Sequence, residues 1–151
     1  MAIRNIVKVG DPILNKTSRK VEKFDQRLWT LLDDMKETMY EANGVGLAAV
    51  QVGVLRRVVV VDCGDGYLEL INPEIVKTEG EQFEEEGCLS FPGESGVTCR
   101  PMKVRIQAQD RNGKWCVYSG EGLKARCFCH ETDHLDGVVF TSKVIKKEMT
   151  E

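Results

Sequence analysis

No apolar run in this chain is long enough to cross a bilayer. The densest, Val58-Val59-Val60-Val61, has four residues where a spanning helix needs about twenty. Charge of one sign is lacking too. Lys and Arg total 21 against 24 Asp and Glu, the net charge is −3, and the two signs are interspersed, so no overall field draws the chain to nucleic acid or an anionic membrane. The opening Met1-Ala2-Ile3-Arg4-Asn5 has no apolar stretch of the signal-peptide kind, and the expected location is the cytoplasm. Repeats, low-complexity tracts and linkers are missing, so residues 1–151 read as a single domain. With 42% hydrophobic residues it can build a core without disulfides or a structural metal. There is no CxxC pair either. The six cysteines, Cys63, Cys88, Cys99, Cys116, Cys127 and Cys129, read as reduced thiols, mostly small buried hydrophobes, and the two-residue spacing of Cys127 and Cys129 does not fit a zinc knuckle.

What is present falls into an α+β order: a helix, several strands, a second helix. Leu28, Leu31, Leu32, Met35, Met39 and Ala42 recur at helical spacing and predict a helix over Asp25–Ala42, stopped by Asn43-Gly44. Arg56–Asp62 is a β-branched strand. Tyr67–Ile71 is a second, expected to close at Asn72-Pro73. Val104–Ala108 alternates with period two and pairs with Trp115–Tyr118 across a turn containing Asn112-Gly113. Leu123–Asp136 is the second helix, ended by Gly137. The charged tail from Ser142 onward is read as a short helix or disorder.

Only two histidines occur, and both sit in that second helix, in His130-Glu131-Thr132-Asp133-His134. Four residues apart on a helix, they share one face and can share a metal ion. Glu131 follows the first by about 100° and lands beside that ion, placed to take a proton from water. Cys127 faces the same way, but the seven residues from it to His134 span roughly 10 Å along the axis, too far for ligands at about 2.0–2.3 Å. The third ligand must come from elsewhere in the chain. Glu86-Gly87-Cys88-Leu89-Ser90 admits two readings: a strand end with a buried cysteine, or a thiolate ligand beside a glycine that permits close backbone approach. The acidic run Glu84-Glu85-Glu86 before it is expected to be mostly solvated. Gly44-Val45-Gly46-Leu47-Ala48-Ala49-Val50-Gln51 is either a plain connection or a backbone that receives an extended substrate, with Gln51 as side-chain donor. It lacks the third glycine and preceding strand of a dinucleotide loop.

In this order, GVGLAAVQ, EGCLS and CHETDHLDG resemble the three motifs of the peptide deformylases, GxGLAAxQ, EGCLS and QHExDHLxG. Gly10-Asp11-Pro12-Ile13-Leu14 is similar to that family's GDPxL entry segment, and the resemblance covers nearly the whole chain. One departure is Cys129, standing where the family has glutamine before the first histidine. The stretch after Lys143 is shorter than the C-terminal helix of some members, which bears on any ribosome contact.

The resemblance implies mostly antiparallel sheets packed around a central helix carrying HExxH. It implies a hydrolase that removes the formyl group from the N-terminal formyl-methionine of newly made polypeptides and releases formate; nothing in the sequence suggests an obligate oligomer, and a monomer is expected. It assigns Cys88, His130 and His134 to one divalent metal, Fe2+ foremost, with Zn2+, Ni2+ or Co2+ as alternatives. Glu131 becomes the general base and then acid, and Gln51 and the Leu89 N–H the donors to the developing oxyanion. Gly44, Val45 and Gly46 would pair with the substrate backbone, and Leu123 and Cys127 would line the methionine pocket. Two other classes share features of this sequence. A zinc peptidase of the HExxH type usually takes its third ligand downstream, where only Asp136 and late glutamates stand. A zinc-stabilised binding domain would need a closed four-ligand site, with Cys127 or Cys129 added, and would have no use for Glu131.

Overall fold

The computed structural model describes residues 2–147. Eight strands and two helices follow one another: α1 (Gln26–Glu41), β1 (Gly46–Ala48), β2 (Val58–Asp62), β3 (Tyr67–Glu79), β4 (Gln82–Cys88), β5 (Phe91–Arg100), β6 (Lys103–Gln109), β7 (Trp115–Glu121), α2 (Leu123–Leu135) and β8 (Val144–Lys147). They form an antiparallel five-stranded sheet, ordered β1-β2-β3-β6-β7, and an antiparallel three-stranded sheet, ordered β4-β5-β8.

The four valines of β2 explain the layering. Side chains alternate across a strand, so an unbroken apolar run demands cover on both faces. Val58 and Val60 pack with Leu28, Leu32, Met35 and Met39 of α1. Val59 and Val61 pack with Phe128 and Leu135 of α2. The five-stranded sheet thus lies between two helices, and α2 is central, buried along most of its length. Asp25 caps α1, its carboxylate accepting from the Leu28 N–H at 3.3 Å, a contact worth about 1 kcal/mol. At the other end Asn43, not the following glycine, takes the left-handed conformation (φ 57°).

Three expectations are corrected. β3 does not close at Asn72-Pro73 but runs on to Glu79 through a bulge between Ile71 and Glu74. Asn72 adopts φ 53° there, and its side chain receives the Val21 N–H (2.8 Å) and donates to the Val21 carbonyl (2.9 Å) and Gln109 (2.7 Å). These bonds hold the kink that lets the strand continue past a proline. Second, the tail is neither helix nor disorder as far as Lys147: after a 3-10 turn (Phe140–Lys143) it adds to β5 as β8. Residues 148–151 lie outside the described residues. Third, Glu86 is buried, for a reason found at the site.

The entry segment crosses behind the site. Val7 N–H donates to the Gln51 carbonyl and Val9 N–H to the Ser90 carbonyl, both at 2.7 Å. Gly137 (φ 76°) ends α2 against this segment, where a Cβ would meet the Asn15 carbonyl oxygen at 2.6 Å. Arg57 donates to the Leu135 carbonyl (3.1 Å), placing a cation at the negative end of the helix.

Candidate active site

His130 and His134 stand one turn apart on the face of α2 that looks toward the small sheet, their ring centroids 5.0 Å apart. Cys88 ends β4, just before the chain turns back through Leu89 and Ser90 into β5. This places its Sγ 3.3 Å from His134 Nε2. One ligand atom from each of Cys88, His130 and His134 lies within 4.8 Å of the others, and no other such cluster occurs among the described residues. Cys127 and Cys129 are not part of it.

Glu86 precedes Cys88 by two residues, so both project from the same face of β4. Its carboxylate meets His130 Nδ1 at 2.7 Å, which leaves Nε2 for the cluster. Arg100 grips the same carboxylate through Nη2 (2.7 Å) and Nε (3.2 Å), Thr98 adds a hydroxyl at 2.8 Å, and Arg100 Nη1 reaches Asp133 on α2 at 2.7 Å. Both side chains of the Glu86–Arg100 pair are 6% exposed. Burial works against the Glu86 charge, but His130 and Arg100 outweigh it and hold the carboxyl down at about 2. Buried charges persist only when paired and hydrogen-bonded, and Glu86 and Arg100 are both.

The electrostatics favour a cation. Burial pushes the His130 pKa down, yet the charge of Glu131 and hydrogen bonds with Cys88 and Glu86 push it up to about 10. A field that attracts a proton to this imidazole attracts a metal ion to the same place. His134 is held neutral, at about 3, by burial and by His130, and a neutral imidazole is the ligating form. A sulfur and two imidazole nitrogens suit Fe2+, Zn2+, Ni2+ or Co2+.

Glu131 is 4% exposed and raised to about 7 by burial. Its Oε1 has no hydrogen-bond partner among the described residues. It lies against Gly46 so closely that a Cβ there would stand 2.6 Å from Oε2. Gln51, 1% exposed, is fixed at both ends of its amide: Oε1 accepts from the Ala48 N–H (2.9 Å), and Nε2 donates to Ser90 Oγ (3.1 Å) and lies 3.6 Å from Cys88 Sγ.

A cleft of about 420 Å³ opens over these groups. Gly44, Val45 and Gly46 line it together with Gln51, Cys88, Leu89, Leu123, Cys127, His130 and Glu131, so every site residue read from the sequence except His134 borders one space. A second hollow of about 490 Å³, over Lys77, Lys103, Arg105 and Lys124, contains none of them. Sequence reading missed Glu86, Thr98, Arg100, Asp133 and Ser90 as supporting residues. For Glu86 a signal existed: a strand through EGCLS puts it beside Cys88.

A sulfur and two imidazoles at the floor of a cleft, with an unpartnered buried carboxylate beside them on an α+β frame, define a metal-dependent hydrolase. Residues 3–150 match the family model described as polypeptide deformylase. The peptide deformylase of Acetivibrio thermocellus is 60% identical over 146 residues, covering 97% of this chain and 86% of that protein. That of Alkaliphilus metalliredigens is 56% identical over 147 residues, covering 97% and 100%. The crystal structure of the peptide deformylase from Thermotoga maritima superposes with a TM-score of 0.93 at 40% identity, over 95% of this chain and 99% of that one. The chain belongs to the peptide deformylase family, the metal-dependent enzymes that remove the N-terminal formyl group from nascent polypeptides.

Proposed function

We propose that Cys88, His130 and His134 hold the catalytic ion, that this ion is Fe2+, and that Glu131 moves the proton. The observation that carries the assignment is the gathering of three ligand atoms within 4.8 Å beside a buried carboxylate without a partner. A divalent ion at these residues supplies Lewis acidity, which makes water a better nucleophile at neutral pH and polarises the formyl carbonyl. Water adds to the formyl carbon, the C–N bond breaks, and formate and a free α-amine result. Glu131 accepts the proton that water gives up and passes it to the departing nitrogen, a double duty suited to a carboxyl poised near 7. The Gln51 amide and the Leu89 N–H donate to the carbonyl oxygen as negative charge builds there.

β1 is an edge strand of the five-stranded sheet, and Gly46, with Gly44 and Val45 just before it, offers a free backbone edge to the substrate as an added strand. Leu123 and Cys127, with Phe91 and Arg126, form the wall facing the methionine side chain. We assign the whole of residues 1–151 to one catalytic domain that acts as a monomer in the cytoplasm; no helix among the described residues is long and apolar enough to cross a membrane. We place the ribosome among candidate partners only because the substrate is a nascent chain. The test is formate release from formyl-Met-Ala by Glu131→Gln enzyme with its ion content measured. Loss of about 10²–10⁴-fold in turnover with the ion retained is expected. Near-wild-type turnover by the loaded variant refutes the role.

A further inference from the structure

Cys127 has no place among the ligands, yet it is not isolated. Its Sγ lies 3.4 Å from the Sγ of Cys63, a residue 64 positions away that follows β2. Both thiols are free; Cys63 is half-buried, and Cys127, though buried, borders the substrate cleft. Two sulfurs in van der Waals contact need close by only about 1.4 Å to reach the 2.05 Å of a disulfide. No other sulfur–sulfur contact occurs among the described residues.

We propose that Cys63 and Cys127 form a redox-modifiable dithiol whose oxidation to a disulfide remodels the wall of the substrate pocket. The oxidant is hydrogen peroxide. The Cys63 sulfur attacks the peroxide oxygen, the O–O bond breaks, and a sulfenic acid and one water form. The Cys127 sulfur then attacks the Cys63 sulfur, the S–O bond breaks, and the hydroxyl leaves as a second water with the Cys127 proton. Two thiols lose two electrons, and one peroxide becomes two waters. Cys63 attacks first because it is the more exposed of the pair. The Cys127 thiol beside it also holds the Cys63 pKa below its usual value, which raises the reactive thiolate fraction. Closing the bond draws Cys127 toward β2 and away from its present position on the pocket wall. The effect on substrate rests on the assignment of that wall to the methionine side chain; formation of the bond does not.

The experiment treats the full-length Ni2+-loaded enzyme with hydrogen peroxide and maps the cysteines by mass spectrometry of a non-reduced digest, with KM and kcat for formyl-Met-Ala measured alongside. The expected result is a linked Cys63–Cys127 peptide, reversed by dithiothreitol. KM should rise by about tenfold, the size of a lost methylene-scale pocket contact, with kcat changed less. Cys63→Val should give no linked peptide and a KM that peroxide leaves unchanged. Cys63 and Cys127 recovered unlinked, whether as thiols or as separate sulfinic acids, overturn the proposal. A linked peptide with unaltered KM overturns the effect on the pocket. If instead the pocket wall has been misassigned, Leu123→Ala also leaves KM unmoved while the linked peptide still forms, which separates that failure from failure of the dithiol.

Discussion

Replacing Gly46 with alanine should disable the proton carrier without touching a ligand or a charge. The backbone at Gly46 is ordinary strand, paired with Val61, so alanine brings no conformational strain of its own. Its Cβ would instead lie 2.6 Å from Glu131 Oε2, 3.0 Å from Cγ and 3.1 Å from Cδ. Turning the carboxyl group relieves only the first contact, because Cγ and Cδ are crowded too. To reach an ordinary 3.4 Å from the new methyl, Oε2 must retreat by about 0.8 Å, in a side chain only 4% exposed. A misplacement near 1 Å costs about 10²-fold in rate, within the 10²–10⁴-fold that a general acid–base contributes. The expected outcome for Gly46→Ala is thus kcat/KM for formyl-Met-Ala down about 100-fold, with ion content and melting temperature near wild type. Gly44→Ala is the control. Its Cβ would meet Leu89 Cδ1 at 2.6 Å, the tip of a half-buried leucine that can turn aside, and the loss should stay below about tenfold. Full activity in ion-loaded Gly46→Ala would refute the idea that Glu131 is held in place by this contact.

Cys88→Ser should lose most of its metal, whereas Cys129→Ser should keep about one ion per chain by elemental analysis; the reverse pattern reverses the ligand assignment. Arg100→Met leaves the buried Glu86 and the partly exposed Asp133 without their cation and should cost about 3–5 kcal/mol in urea unfolding; a loss under about 1 kcal/mol would mean the network is not what holds β5 to α2. Glu86→Gln keeps a partner for His130 Nδ1 but removes the negative charge, and metal affinity should fall about 10–100-fold by competitive chelation, an unchanged affinity counting against its tuning role. The Fe2+ enzyme should lose activity in air with oxidation of Cys88 while the Ni2+ enzyme holds, as followed by timed assays and mass of the Cys88 peptide; equal decay with Cys88 intact removes metal-centred oxidation as the cause.

The features legible in the sequence were those written within one element. The face shared by His130 and His134, the apolar stripe of α1, and the exclusion of Cys127 as a ligand all follow from helical repeat alone. Motif order supplied Cys88, Gln51 and the glycine segment. What stayed hidden depends on partners distant in the chain. Phe91–Arg100 carries Pro92, Gly93 and Gly96 and has no strand periodicity; it is a strand because β4 and β8 flank it. Glu86 looks like the third member of a solvated acidic run until Arg100 and Asp133, 14 and 47 residues further on, are brought to it. Asn72-Pro73 reads as a stop because the side-chain bonds to Val21 and Gln109 that rescue the strand leave no local mark.

Val58 to Val61 raise a different matter, that of alignment. A strand of four identical side chains can slide by one residue and present the same hydrophobic surface to both helices, so the apolar core cannot by itself tell the right pairing from its neighbour. The choice falls to the polar ends. Asp62 receives the Tyr40 hydroxyl at 2.5 Å and gives its N–H to the Val45 carbonyl at 2.9 Å, while Arg57 gives its N–H to the Arg19 carbonyl and takes that of Asn72, each at 2.8 Å. Gly46 faces Glu131 only when β1 sits opposite Val61 and not one step along. The spacing of the Glu131 carboxylate is therefore set by a tyrosine, an aspartate and an arginine outside the cleft lining, acting as the index marks on an otherwise unmarked ruler.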